Sequence, residues 1–160
     1  MGCRMLKAFR ELLNRRPSER PKGEKETELL ATRIGLALIA CQLVERNLYG
    51  VMTQVLGEKW NRKQRPKLVE MIQRLRGRGP AMTAPAQVLD EFREKRNEFV
   101  HALLDLEGAD LRTSEGKMVC YGKAVEVHAM ASVIMKTFGT IFRDHFTALG
   151  HHWPQHLSGE

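Results

Sequence analysis

Residues 24–57 read EKETELLATRIGLALIACQLVERNLYGVMTQVLG, and the spacing of their apolar side chains decides the fold. Leu30, Ile34, Ala37, Cys41, Val44, Leu48, Val51 and Val55 follow one another at steps of 4, 3, 4, 3, 4, 3 and 4. Steps of that kind keep side chains on one face of an α-helix. The acidic run and Thr27 suit a helix start, and Gly57 suits its end. The spacing therefore predicts one helix over 24–56, packed along its length in a bundle.

Working outward, 63–76 reads as a shorter helix with Leu68, Met71, Ile72 and Leu75 apolar. Pro66 fits only its first turn, which moves the expected start to Arg65. The glycines at 77 and 79, with Pro80, end it. Thr83 suits the cap of a helix running to about 104, with a seam of Leu89, Phe92, Arg96, Phe99 and Leu103. From 105 to 122 the pattern is lost, and Glu115-Gly116 marks the turn of a small hairpin or a structured loop. A last helix runs from 123 to about 149, with Val127, Ala131, Ile134, Phe138, Ile141 and Phe142 apolar. The expected fold is an all-α bundle of four to five helices, with a small hairpin or loop insertion before the last helix. The bundle occupies 24–150. Residues 1–23 form a basic extension and linker, with a short amphipathic stretch at 4–14, and 151–160 form a loose tail.

The chain has 160 residues, 42% hydrophobic and 28% charged, which suits one globular domain. Its longest apolar run, 34–41, is too short to span a membrane, and charged residues interrupt any leader-like start. The opening Met-Gly-Cys lacks the Ser or Thr that acylation wants, since Leu6 stands there. Three cysteines without paired spacing exclude a disulfide framework and argue against zinc. These features point to a cytoplasmic protein with no membrane partner, metal or cofactor. Net charge is +7 and unevenly spread. Residues 1–25 carry eight basic and three acidic side chains; 59–78 carry eight basic and one acidic. Such a segment is either the footprint of a polyanion binder or a solvated face. Trp60 is its one aromatic residue, so no base-stacking platform is indicated.

Two charges break the apolar rows. Arg96 stands between Phe92 and Phe99; Glu45 stands in the row Leu38, Cys41, Glu45, Leu48 and Met52. An unpaired buried charge is costly. The economical arrangement has Glu45 facing Arg96 across two packed helices. The other arrangement lets each side chain reach out at the bundle edge. Five residues beyond Arg96 comes His101, which a helix places about 140° around its axis. Asn97 and Asp105, each four residues from His101, lie on its row. One helix cannot aim Arg96 and His101 into one narrow groove. A two-fold interface could pool both residues from two copies in a single cleft.

The run Arg96-Asn97-Glu98-Phe99-Val100-His101 resembles the R-x-x-x-x-H motif of HEPN domains, in which Asn commonly follows the arginine. The layout over 24–149 resembles theirs too, with the motif on a helix after a long first helix. The resemblance implies a metal-independent endoribonuclease, acting as a homodimer with the motif at the shared face, in a toxin or antiviral defence setting. It implies RNA as substrate and an antitoxin or regulatory protein as a further partner. His101 would take the 2′-hydroxyl proton and Arg96 would stabilise charge on the phosphate. Asn97 and Asp105 would support the site, and Glu45 would hold Arg96. Lys59, Arg62, Lys63, Arg65 and Lys67 would track the RNA backbone. The products would be 2′,3′-cyclic phosphate and 5′-hydroxyl ends. The competing readings are a catalytically silent helical module that binds RNA, nucleotide or protein, and a DNA-binding regulator suggested by charge alone. His151, His152 and His156 lack companion ligands for a metal. His128 and His145 read as packing or surface residues.

Overall fold

The structure, a computed structural model, describes residues 24–60, 66–104 and 110–150. The extension at 1–23, the tail at 151–160, and Arg62, Lys63, Arg65 and Asp105 lie outside the described residues. Those residues form four α-helices and no strand. The first, α1, spans Glu24–Gly50 and runs straight into a π-helical turn at Val51–Val55. Then come α2 at Leu68–Arg76, a short 3₁₀ turn at Pro80–Met82, α3 at Thr83–Leu103, and α4 at Ser114–Ala148.

Contacts along the bundle fix the directions. Thr27 accepts from Lys117 Nζ at 3.4 Å, and Asn47 Nδ2 meets Met135 Sδ at 3.6 Å. Higher numbers meet higher numbers, so α1 and α4 run parallel. Lys123 pairs with Glu98 at 3.4 Å and Lys95 with Glu126 at 3.2 Å, so α3 runs antiparallel to α4. An ion pair between Arg76 and Asp90 ties α2 to α3.

The apolar seam of 24–56 is the core. Leu30, Ala37, Cys41, Val44, Leu48 and Val51 are buried, while Ile34 and Val55 pack against them from its edge. Leu68, Met71, Ile72 and Leu75 of α2 are buried as their spacing predicts. So are Leu89, Phe92 and Phe99 of α3, and Val127, Ala131, Ile134 and Phe138 of α4. Leu29, Leu36, Ile39 and Leu43 form a second apolar row on α1, and it is exposed. By length and composition alone, the stretches Lys25–Val55 and Ser114–Ala148 are apolar enough to cross a membrane. The reading of short apolar runs did not anticipate this. A core helix of a bundle has a similar composition, but only 22% and 28% of the two most apolar windows is buried here, and charges such as Arg33, Glu45 and Arg46 punctuate the first stretch.

Three boundaries differ from the spacing-based reading. The short helix starts at Leu68, not at 65. Pro66 is buried ahead of it, and the Glu70 carboxylate accepts the Lys67 backbone N–H at 3.2 Å. Thr83 is the first residue of α3 rather than its cap, because the 3₁₀ turn precedes it. Of the hairpin or loop expected over 105–122, no strand pair is present among the described residues, 110–113 form a turn, and 105–109 lie outside the described residues. From Ser114 onward that stretch is the start of α4, nine residues earlier than the expected Lys123. Thr113 Oγ1 accepts the Gly116 N–H at 3.0 Å, which caps the helix. Cys120 and Ala124 then extend the buried row that continues through Val127 and Ala131. Glu115-Gly116 is therefore a first helical turn, not a strand reversal.

Gly116 is needed there for space. A Cβ at this position would sit 2.1 Å from the Asp110 carbonyl oxygen and 2.5 Å from its carbon. Both are backbone atoms, and that carbonyl also accepts from the Thr113 N–H and hydroxyl. Gly116→Ala should lower the unfolding free energy by about 1–3 kcal/mol. Gly122→Ala, on the same helix with open space around it, should raise it by up to about 1 kcal/mol. Urea unfolding of the pair checks this, and equal or greater stability of Gly116→Ala would contradict it.

Candidate functional site

Arg96 reaches from α3 to α1 and donates from Nη2 to Glu45 Oε1 at 2.6 Å. The pairing expected from two broken apolar rows is therefore present. It lies at the bundle edge, with Arg96 34% and Glu45 31% exposed. Among the described residues no polar or charged side chain is fully buried. A pair this exposed contributes at most about 1 kcal/mol to stability. Its consequence is geometric: it holds the guanidinium in one place. Arg96 Nη1 also donates to Asn97 Oδ1 at 3.3 Å. A guanidinium has five N–H donors, so others remain to meet an anion.

Cys41 lies one turn before Glu45, buried beneath this pair. Burial pushes its thiol up to about 11, with nearby Arg96 pulling it down and Glu45 pushing it up. A thiol so placed stays protonated at neutral pH and is no nucleophile.

Glu45, Arg96 and Asn97 line an open depression of about 360 Å³, together with Lys67, Leu68, Val69 and Arg93. The start of α2 forms one wall, and α1 and α3 form the others. Of the cations expected to follow a polyanion, Lys67 lines this depression with Arg96. Lys59 is exposed and does not line this depression. Arg93 was not anticipated, although its place one helical turn before Arg96 could have pointed to it. It pairs with Asp90 at 3.3 Å and with Glu94 at 3.8 Å.

His101 is exposed near the end of α3 and does not line the depression. Five residues advance a helix by about 7.5 Å and turn it about 140°. Phe99 and Ala102, on either side of it, face the core. The structure thus brings Glu45, Arg96, Asn97 and Lys67 together and leaves His101 on another side of α3.

The rest of the basic segment divides. Arg74 and Arg78 pair with Glu58 at 2.9 and 2.6 Å, and Arg74 also stacks over the Trp60 ring at 4.1 Å. Hydrogen bonds from Arg78 and then Arg74 hold the Glu58 carboxyl below its usual range. Arg76 is bound to Asp90. These three arginines fasten α2 to its surroundings. Among the described residues no group of His, Cys, Asp or Glu is arranged to hold a metal ion. Compared with family models, curated proteins and solved structures, the chain matches none of them.

Proposed function

We propose that the chain is an endoribonuclease of HEPN type, working without a metal as a homodimer in the cytoplasm. One observation carries the reading. Glu45 fixes Arg96 at 2.6 Å on the rim of an open, cationic depression, beside Asn97 and on the helix that bears His101. A guanidinium held this way by a carboxylate is preorganised to meet a phosphate. His101 supplies an imidazole, whose ring nitrogens can take up and give back a proton. Arg96 and His101 diverge on α3, so a second copy related by a two-fold axis completes the site.

In the proposed reaction, His101 takes the 2′-hydroxyl proton and the 2′-oxygen attacks phosphorus. The P–O5′ bond breaks, and the leaving oxygen takes a proton from water, while the proton held by His101 passes to solvent. Arg96 stabilises the charge that builds on the non-bridging oxygens. The ends are a 2′,3′-cyclic phosphate and a 5′-hydroxyl. A toxin or antiviral role, held in check by an antitoxin or regulatory protein, belongs to the same reading.

A second reading is a non-catalytic helical module that binds RNA, nucleotide or protein. It is favoured by the absence of His101 from the depression within one chain. Incubating the purified protein with RNA in EDTA, with end-group analysis, decides between them. Fragments ending in cyclic phosphate are expected. Intact RNA after exposure to dimeric protein, or fragments ending in 3′-hydroxyl, would overturn the proposal.

A further inference from the structure

We infer that Lys67 and Arg93 join Arg96 in a base-independent subsite for the phosphodiester backbone of RNA. The inference rests on the ribonuclease reading and adds to it residues that the motif does not contain. Three cationic side chains, Lys67, Arg93 and Arg96, line one depression with a single carboxylate, Glu45, which is bonded to Arg96. Arg93 is also paired with Asp90 and Glu94, which stand outside the lining. The lining itself carries three positive charges against one negative, which favours an anionic occupant. About 360 Å³ lies at the small end of ligand sites, near 300–1,000 Å³, and suits a phosphate with its sugar.

The lining also says what the subsite does not read. Leu68 and Val69 are its apolar members, and none of its residues is aromatic. Without a ring to stack on, a base gains little here. Guanidinium and ammonium groups recognise phosphate whatever base it carries. The subsite should therefore bind purine and pyrimidine strands alike.

The test uses the full-length chain and fluorescein-labelled 2′-O-methyl ten-mers of uridine and of adenosine, which lack the attacking hydroxyl. Anisotropy titrations at two or more salt concentrations give affinity and salt slope. Lys67→Gln and Arg93→Gln should each weaken binding by about 3- to 10-fold, equally for both probes. Each should reduce the salt slope by about 0.7, the value for one contact to a single strand. Arg143→Gln, which removes an exposed cation on α4, should bind as wild type does. Arg93→Lys should recover most of the affinity, which a merely misfolded variant would not do. Unaltered binding by both glutamine variants, loss for one base only, or no binding of either probe by the wild type would overturn the subsite. So would preference for a phosphoserine peptide over both probes. If natural RNA is not cleaved yet both substitutions weaken binding, the cleavage reading falls and the subsite stands. If RNA is cleaved and both variants bind and cleave as wild type does, the reverse holds.

Discussion

His101→Ala should slow RNA cleavage by about 10²–10⁴-fold, the range for removing a positioned general base. It should leave the unfolding free energy within about 0.5 kcal/mol of wild type, as surface substitutions usually do. The two expectations separate because the His101 side chain is exposed, whereas its neighbours Phe99 and Ala102 secure α3 to the core. Arg96→Ala should also lose cleavage, through a different function, because it removes the cation that meets the phosphate. Mixing the two inactive variants tests the two-fold site directly. A heterodimer would bring one intact Arg96 and one intact His101 to the shared cleft. After random exchange of subunits, cleavage should return to about a quarter of the wild-type level, given one heterodimer in two and half of each cleft's groups. No recovery in a mixture shown to contain heterodimers would sink the composite site, and full activity of His101→Ala would remove its role as base.

The fold was legible where a packing demand repeats. The seam through Leu30, Ala37, Cys41, Val44 and Leu48 recurs often enough that no other element could bury it. Glu45 and Arg96 were legible as a pair for the same reason, since each interrupts an apolar row and each needs a partner. What periodicity misses is set by single contacts. The start of α4 depends on the Thr113 hydroxyl and on the space that Gly116 leaves for the Asp110 backbone. In sequence, a valine, a cysteine and a tyrosine after a Glu-Gly pair look like a strand after a turn. The π-helical turn at Val51–Val55 is equally local: Thr53 donates to the Tyr49 carbonyl at 2.8 Å, and Leu56 N–H closes on Val51 at 3.0 Å. A one-residue widening leaves no trace in the spacing. The depression at Arg96 was half legible. Lys67 was among the expected cations, but its place in one depression with Arg93 depends on where α2 begins, and that start is fixed by the Glu70–Lys67 bond rather than by pattern.

Phe92→Ala should remove about 3–5 kcal/mol of stability, a large share of the 5–15 kcal/mol that holds a domain of this size. Phe92 and Phe99 are both fully buried, seven residues apart on α3, and they rank among the largest side chains in the core. They face inward from the helix that carries Arg93, Arg96 and His101 outward. Deleting one ring leaves a void that the surrounding Leu, Ile and Val side chains can fill only in part. Phe92→Leu keeps most of the volume and should cost less than about half as much. The buried thiols provide the readout. Cys41 and Cys120 are inaccessible in the fold, and burial raises the pKa of both. Each should react with a thiol reagent only when the bundle opens. In a Cys3→Ser background, labelling of these two cysteines under native conditions should therefore accelerate in Phe92→Ala by about 10²–10⁴-fold, the equilibrium equivalent of 3–5 kcal/mol. The urea midpoint should fall while the slope stays constant. Labelling at the wild-type rate would mean that Phe92 does not hold the core. Fast labelling of Cys41 with slow labelling of Cys120 would mean that α1 opens separately from α4. The Arg96 site spans α1 and α3, and it would then be disassembled before the protein unfolds.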